Sequence, residues 1–324
     1  MMAGDNNIFV YLGGNQEVPA GVTHAVIDPS VKTVRRLAFA NREHLVSITF
    51  HDCVEIVEEY AFRGCKSLRG IKLLGVREIG EGAFQFCFNL SDVEFGDKLE
   101  TIGKYAFQYC QSLRSIKMPS VRTVQFEAFG YCRQLMEVEF GSDLERIGIA
   151  SFYNCPQLHR IAIPLKDNLF PPDQYNQRFS HFDECGNLRT VELVGAGGMH
   201  STISSLLLET WEAEMNEEID RIKWELPDTS RFDKANAIQQ WIRSVIDRME
   251  HYKAEHNRLL KEHMTLLELA IWKAKIEEEE DSGDSTMRVT KIVKIDEDSM
   301  RKEKRITSGA DIIIKNVLPF LNLA

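Results

Sequence analysis

Phenylalanine recurs at a nearly constant interval through the first half of this 324-residue chain. Steps of 23 and 22 residues alternate along the series, and a longer step of 30 residues leads to its last member. The series is Phe39, Phe62, Phe84, Phe107, Phe129, Phe152 and Phe182. An interval of this length is typical of a solenoid, in which each repeat buries its apolar face only against its neighbours. We therefore treat one repeat, or rung, as the unit of the fold.

Further apolar positions accompany each Phe at constant offsets. Cys lies three residues after it in six rungs, with Arg42 at that place in the first rung. Leu follows six residues after each Phe, Ile or Val nine residues after it, and another apolar residue two places later. This alternation predicts one short parallel strand in each rung. A second apolar pair, eight and five residues before the Phe in every rung but the last, predicts a second wall.

The combined pattern V-x-x-I-x-x-x-A-F-x-x-C-x-x-L-x-x-I-x-[LFM], as in "VRTVQFEAFGYCRQLMEVEF", resembles the BspA-type leucine-rich repeat over roughly residues 20–195. The resemblance implies a right-handed, curved solenoid that is used for protein recognition and brings no catalytic residues. The expected fold class is thus an α/β leucine-rich-repeat solenoid with short parallel strands, followed by a long α-helical hairpin.

Charged residues alternate in sign from one rung to the next at two repeat positions. One series is Lys72, Glu94, Lys117 and Glu139, and the other is Arg77, Glu100, Arg122 and Glu145. Opposite charges on adjacent strands attract, so we interpret both series as structural. A nucleic-acid groove would need a stripe of one sign, and the net charge of −10 also argues against a nucleic-acid partner.

Aromatic residues next to the repeated Phe are the first candidates for contacting a protein partner. Phe86, Tyr109 and Tyr131 lie two residues after it, whereas Tyr60 and Tyr105 lie two residues before it. Exposed aromatic side chains are good anchors in interfaces. The alternative interpretation is that they stack on one another as a surface ladder.

Residue types that carry chemistry show no catalytic or metal-binding spacing. Six of the seven cysteines occupy one inward repeat position and are interpreted as buried free thiols. No C-x-x-C pair, H-E-x-x-H motif, Walker loop or G-x-S-x-G motif occurs. We therefore expect neither an enzyme nor a metal or other cofactor.

The chain is predicted to divide into four segments. An amino-terminal cap covers residues 1–30, the solenoid residues 31–198, a coiled-coil-like helical hairpin residues 199–280, and a linker and tail residues 281–324. The long step before Phe182 contains a loop with Pro171 and Pro172. These prolines are a second candidate for partner contact, the alternative being a tolerated insertion.

The second helix of the hairpin is predicted to be nearly twice as long as the first. Its far half, with Leu259, Leu266 and Trp272, therefore needs another apolar surface. Either the carboxy-terminal tail covers this half, or helices of two chains pair and make a homo-oligomer. These three residues are the third candidate site.

We expect an intracellular protein–protein interaction module or scaffold that recognises its partner through the solenoid. The alternative is a structural or regulatory oligomerisation protein that acts through its hairpin. No apolar run is long enough to span a bilayer, so a membrane partner is not expected. The expected location is the cytoplasm, because no secretory signal precedes the repeats and the thiols are interpreted as free; "RKEKR" is a weak indication of nuclear entry.

Overall fold

The chain forms a solenoid with two parallel walls, followed by two helices. A computed structural model describes residues 8–171, 180–194, 209–230 and 233–281. Two compact units are present, Met1–Met249 and Glu250–Ala324. The first unit contains the solenoid and the helical hairpin up to Met249.

Fifteen short strands build the solenoid over the described residues. They are β1 (Phe9–Tyr11), β2 (His24–Ile27), β3 (Thr33–Val34), β4 (Ser47–Thr49), β5 (Ile56–Val57), β6 (Gly70–Leu73), β7 (Glu78–Ile79), β8 (Asp92–Phe95), β9 (Thr101–Ile102), β10 (Ser115–Met118), β11 (Thr123–Val124), β12 (Glu137–Phe140), β13 (Arg146–Ile147), β14 (Arg160–Pro164) and β15 (Thr190–Val194). The first wall comprises two parallel sheets, β1-β2-β4-β6-β8 and β10-β12-β14-β15. The second wall is one sheet, β3-β5-β7-β9-β11-β13. Both predicted walls are therefore confirmed.

The repeated phenylalanines form a continuous stack inside the solenoid. Each ring from Phe39 to Phe182 is fully buried, and neighbouring rings are stacked with centroids 4.9–5.8 Å apart. Burying one such ring contributes roughly 2–3 kcal/mol. At the amino-terminal end, the buried ring of Tyr11 in β1 packs on Phe39 with centroids 5.2 Å apart.

The last rung takes its second wall from a segment that lies before the long insertion. Gln174 and Gln177, which align with the wall positions by counting back from Phe182, fall outside the described residues. The backbone N–H of Ile147 instead donates to the carbonyl oxygen of Leu169, at 2.8 Å, and Leu169 is fully buried. The wall therefore continues into the last rung through Leu169.

The alternating charges form ion pairs between adjacent rungs. Lys72 lies 2.7 Å from Glu94, Lys117 lies 3.1 Å from Glu139, and Arg77 lies 3.1 Å from Glu100. Arg122 pairs with Glu145 in the same way. The hydrogen bond from Lys72 to Glu94 raises the pKa of that lysine. The structural interpretation of both charge series is confirmed.

Two antiparallel helices follow the solenoid. They are α1 (Glu209–Asp228) and α2 (Lys234–Asp281). Trp241 of α2 is buried and its indole N–H donates to the carbonyl oxygen of Glu218 in α1, at 3.0 Å. The predicted hairpin is confirmed, whereas the predicted boundary near residue 198 falls outside the described residues. Neither helix, where it is described, has the length and apolar character needed to cross a bilayer.

A buried lysine joins the hairpin to the last rung. The Lys234 ammonium donates to the carbonyl oxygen of Leu188, at 2.7 Å, and to that of Leu226 at the end of α1, at 3.2 Å. Its burial lowers its pKa, since the charged form loses hydration. The hairpin therefore packs directly on the carboxy-terminal end of the solenoid.

Candidate recognition surface on the aromatic face

The chain turns sharply on both sides of each repeated Phe. The residue two places after the Phe has a positive φ in all seven rungs, and the residue two places before it has one in the six rungs from Phe39 to Phe152. The preceding positions are Leu37, Tyr60, Gly82, Tyr105, Glu127 and Ala150, and the following ones are Asn41, Gly64, Phe86, Tyr109, Tyr131, Asn154 and Glu184. This left-handed conformation costs a residue other than glycine about 1–2 kcal/mol. The aromatic residues at these positions therefore occupy unfavourable backbone sites.

Hydrogen bonds between rungs hold these turns in place. In the rung of Phe62, the backbone N–H groups of Tyr60, Phe62 and Gly64 donate to carbonyl oxygens of the next rung at 2.7–2.8 Å. The Phe side chain between them is buried, while Tyr60 is only half-buried. The hydrogen-bonded turns of successive rungs thus form a third face of the solenoid, and the side chains that flank each Phe lie at its surface.

Four half-buried rings on this face form a continuous row, which we call the aromatic ladder: Phe86, Tyr109, Tyr131 and Tyr153. Phe86 stacks on Tyr109 with centroids 5.0 Å apart, and Tyr109 stacks on Tyr131 at 4.3 Å. Tyr153 meets Tyr131 edge to face at 5.2 Å. The stacking predicted as the alternative interpretation is therefore confirmed, while the role of these residues as anchors stays a prediction.

Stacking determines which parts of the ladder a partner can reach. The ring faces of Phe86, Tyr109 and Tyr131 cover one another, so a partner can reach only the parts of these rings that stacking leaves open. Burial raises the pKa of Tyr131 to about 12, and the neighbouring hydroxyls of Tyr109 and Tyr153 act in the same direction. Tyr131 is therefore uncharged at neutral pH, and its hydroxyl can take part in hydrogen bonds beside an apolar base.

Tyr60 lies beside the ladder rather than in it. Its hydroxyl donates to Glu81, which raises its pKa, and the guanidinium groups of Arg36 and Arg63 lie 5.9 and 5.7 Å from its ring centroid. Arg63 also lies 5.5 Å from the ring centroid of Phe86. Arg63 therefore links Tyr60 to the end of the aromatic ladder through cation–π contacts.

Tyr105 belongs to a separate pair on the other side of the repeated Phe. It packs edge to face against Phe126 at 5.5 Å. Burial raises its pKa, with a smaller contribution from the nearby carboxylate of Glu127. The five aromatic candidates thus divide into the ladder members Phe86, Tyr109 and Tyr131 and two residues with other packing partners.

A polar row accompanies the ladder. The side-chain amide of Gln85 donates to Gln108 at 2.6 Å, and that of Gln108 donates to Glu127. Burial raises the pKa of Glu127, although the bond from Gln108 partly offsets this effect. These linked side chains hold the surface next to the rings in one arrangement.

The proline loop is only partly described. Leu169 and Phe170, just before it, are buried, and the backbone N–H of Phe170 lies 3.3 Å from the side-chain oxygen of Gln239 in α2. The chain therefore does not protrude at these two residues, because they complete the last rung and contact the hairpin. Pro171 is half-buried, and Pro172 lies outside the described residues.

The candidates in the far half of α2 differ in exposure. Leu266 is 63% exposed and Trp272 is 61% exposed, whereas Leu259 is half-buried. Earlier in the helix, Ile238, Ile242 and Val245 are buried. Large apolar side chains are thus exposed in the part of α2 that the sequence analysis singled out.

The buried thiols have a structural role. Each of the six in the repeat position donates to the carbonyl oxygen of the Phe one rung earlier, at 3.0–3.3 Å. Burial raises the pKa of Cys65 to about 12 and also raises the pKa values of Cys87, Cys110, Cys132 and Cys155. Over the described residues, no group of three His, Cys, Asp or Glu side chains is arranged to hold a metal ion.

Sequence reasoning missed Tyr153 and Arg63. Both lie one residue after the repeated Phe, at a position held by small or polar residues in other rungs. Comparing this position across the rungs marks Tyr153 as the one aromatic residue there, next to the end of the Tyr109–Tyr131 pair. The contact of Arg63 with two rings depends on side-chain geometry and leaves no such signal.

The chain matches one protein-family model, which describes a BspA type leucine rich repeat region. Six copies match, within residues 32–159 and 100–195. A search of curated proteins finds no match.

Several solved structures are similar to this chain. A leucine-rich repeat protein from T. pallidum is 22% identical, with 59% of this chain and 77% of that one covered and a TM-score of 0.37. A leucine-rich repeat protein from Bacteroides ovatus is 24% identical, with 54% and 55% covered and a TM-score of 0.34. The pneumococcal vaccine antigen PcpA is 17% identical, with 57% and 66% covered and a TM-score of 0.32.

Proposed function

Because the chain belongs to the BspA-type leucine-rich-repeat family, we propose that it recognises a protein partner through its aromatic ladder. Proteins built from this repeat are protein-interaction or surface-adhesion modules and are generally not enzymes. The observation that carries the finer proposal is the row of half-buried rings from Phe86 to Tyr153 on one face of the solenoid.

The physical properties of the ladder suit an interface. Tyr and Phe contribute large contact areas and lose little side-chain entropy on binding, since they have few rotatable bonds. Stacking removes much of that freedom beforehand, so a partner meets a surface that is already ordered. Three of the rings, those of Phe86, Tyr109 and Tyr131, also belong to left-handed backbone sites, where Gly or Asn would cost less. A role in partner binding would account for aromatic residues at these unfavourable backbone sites.

The charges near the ladder add a basis for specificity. Arg63 lies at its Phe86 end, and Glu127 lies on its polar row. A partner whose contact surface carries an acidic group toward Arg63 and an apolar centre over the tyrosines fits this arrangement.

Cytoplasmic location, with nuclear entry as the alternative, remains part of the proposal. The exposed thiol of Cys53 is compatible with a reducing compartment.

The test uses the full chain, because the hairpin packs on the last rung and truncation near residue 198 would uncover that rung. A photo-crosslinking amino acid at Phe88, which packs on Phe86 at 6.1 Å, captures proteins that touch the ladder. Captured partners are identified and their binding is then measured with purified protein. We expect Tyr109→Ala/Tyr131→Ala to weaken binding by about tenfold or more.

Two further variants separate binding from folding. Met136→Ala removes a 39% exposed apolar side chain outside the ladder and is expected to leave binding unchanged. Tyr109→Phe/Tyr131→Phe keeps the stacked rings and removes only the hydroxyls, so it distinguishes hydrogen bonding from apolar contact. Unchanged binding by the alanine variant, with its fold intact by circular dichroism, contradicts the proposal.

A role in oligomerisation is the second candidate function. It is favoured by the exposed side chains of Leu266 and Trp272 in the far half of α2. That region lies in the second compact unit, whereas the aromatic ladder lies in the first. The two functions can therefore be tested independently.

A further inference from the structure

The free edge of β1 carries a row of exposed apolar side chains. β1 is the first strand of the first wall, and β2 is its neighbour in that sheet. Ile8 is 49% exposed, Val10 is 45% exposed and Leu12 is 62% exposed. Alternate residues of a strand point to one face, so these three side chains form a row on the side away from the core. The half-buried Val26 of β2 lies beside Val10 and extends this apolar surface.

The side-chain amide of Gln16 occupies the backbone groups on the same edge. The backbone N–H of Leu12 donates to Gln16 Oε1 at 2.6 Å, and Gln16 Nε2 donates to the carbonyl oxygen of Val10 at 3.1 Å. Between them, the carbonyl oxygen of Tyr11 accepts from the N–H of Asp28, just after β2, at 2.9 Å. Alternate residues of a parallel strand direct their backbone groups to opposite neighbours, so Val10 and Leu12 face away from β2. Gln16 therefore takes the place that a residue of a neighbouring strand would have.

The outward side chains of this edge do not protect it from pairing. Edge strands are commonly protected by charged side chains or by proline, which oppose the addition of another strand. The row of Ile8, Val10 and Leu12 contains neither, whereas α1 packs on β15 at the other end of the first wall. Within the described residues, Gln16 is thus the group that occupies the backbone of this apolar edge.

We propose that the edge of β1 is a pairing surface for a second copy of this chain, and that the Gln16 amide holds it closed. The edge is complementary to itself, because the N–H and C=O groups of Val10 both face outward. A two-fold axis at Val10 pairs the two strands in antiparallel orientation, with Val10 opposite its counterpart and Ile8 opposite Leu12 of the second copy. The apolar rows of both copies then lie on one face, where cross-strand pairs stabilise the sheet. Both Gln16 side chains leave the edge when this pair forms.

Sedimentation velocity of the full chain over a range of concentrations tests the closure. Gln16→Ala removes both hydrogen bonds, so this variant is expected to associate at least about tenfold more tightly than the wild type. Glu17→Ala is the matched control, because Glu17 is the exposed neighbour of Gln16 in the same loop, and it should leave association unchanged. A Gln16→Ala variant that is monomeric at all concentrations, or that associates no more tightly than the wild type, overturns the proposal.

A charge on the edge tests where the copies meet. Val10→Lys, added to Gln16→Ala, places two ammonium groups opposite each other at the two-fold axis and is expected to abolish the gain in association. Thr49→Lys in the same background is the control, because Thr49 is exposed on the same face but belongs to β4, an inner strand. Association through the far half of α2 would respond to neither substitution. A gain that survives Val10→Lys therefore contradicts pairing at this edge.

Disulfide formation tests the register, in a Cys53→Ser/Gln16→Ala background. Opposed residues of a hydrogen-bonded antiparallel pair have Cα atoms about 5.5 Å apart, a distance that a disulfide spans. Val10→Cys is therefore expected to give a covalent dimer on oxidation, and Thr49→Cys is expected to give none. The six repeat cysteines are buried and do not compete. Covalent dimers from both variants, or from neither, contradict the antiparallel pair centred on Val10.

Amide hydrogen exchange provides a readout of the closed state itself. The Leu12 amide is protected by Gln16 in the wild type and should exchange faster in Gln16→Ala at low concentration, where the copies are separate. At high concentration, pairing should protect this amide again. Exchange in β12 and β14 reports whether the fold is kept. An unchanged rate at Leu12 under both conditions would show that Gln16 does not hold the edge.

Discussion

The thiol of Cys110 donates a hydrogen bond to the carbonyl oxygen of Phe84, 3.3 Å away in the preceding rung. The same bond recurs at every repeat cysteine. Arg42 occupies the equivalent position in the first rung, and its guanidinium donates to the carbonyl oxygens of Val18, at 2.8 Å, and Ala40, at 2.9 Å. This position therefore supplies a hydrogen-bond donor in all seven rungs.

Replacing a repeat cysteine by alanine should destabilise the solenoid. Cys110→Ala removes the bond to Phe84 and leaves a small cavity, so we expect a loss of about 1–2 kcal/mol in the free energy of unfolding. Cys53→Ala is the control, because Cys53 is exposed, and should change it by less than about 0.5 kcal/mol. Urea denaturation measures both values. Equal stabilities of the two variants would show that the buried thiol contributes little.

Stability should fall in alkaline solution. Burial raises the pKa of Cys65 from its ordinary value of 9.0 to about 12, so the folded state keeps a proton that the unfolded state releases. This contribution is complete below pH 9 and is lost progressively between pH 9 and about 12. Tyr131 acts in the same direction above its ordinary value of 10.0.

Urea midpoints measured from pH 8 to pH 11 test this dependence. The variant Cys65→Ala should lose less stability than the wild type over the same interval, because it lacks one of the titrating thiols. Parallel curves for the two proteins would mean that Cys65 does not contribute.

Adding one methyl group between two rungs should be highly disruptive. A Cβ atom built on Gly141 would lie 1.7 Å from the carbonyl oxygen of Pro119, so Gly141→Ala forces the two rungs apart. We expect a loss of about 2 kcal/mol or more. Around Gly186 nothing lies within 4 Å, so Gly186→Ala should be tolerated. Thermal unfolding compares the variants, and similar melting temperatures would contradict the close approach.

Loss of the Arg42 side chain should loosen the amino-terminal cap. Arg42→Ala removes the bond to Val18 and leaves the distal rungs intact, so the change should be local. Hydrogen exchange should become faster in β1 and β2 and stay unchanged in β12 and β14. Arg42→Lys is the matched control, because it keeps a charged donor without the guanidinium fork. Unchanged exchange in β1 and β2 of the alanine variant would exclude this role.

The candidate site was predictable only in part. Phe86, Tyr109 and Tyr131 were found because the repeat interval brings equivalent positions of successive rungs together. Tyr153 joins their row from a position one residue earlier in its rung, because its ring reaches across to Tyr131 at 5.2 Å. Such a contact depends on side-chain reach as well as on the repeat position.

The sequence alone determined the repeated core, because a solenoid brings the same position of each rung into contact with its neighbours. The nearly constant interval is therefore enough to predict the stack from Phe39 to Phe152 and the parallel pairing of the strands. Only the tertiary structure decided the contacts that follow no interval. Leu169 completes the wall of the last rung, and the Lys234 ammonium reaches the carbonyl oxygen of Leu188 from 46 residues away. These contacts depend on how the chain returns after an insertion or a helix, which a local pattern does not encode.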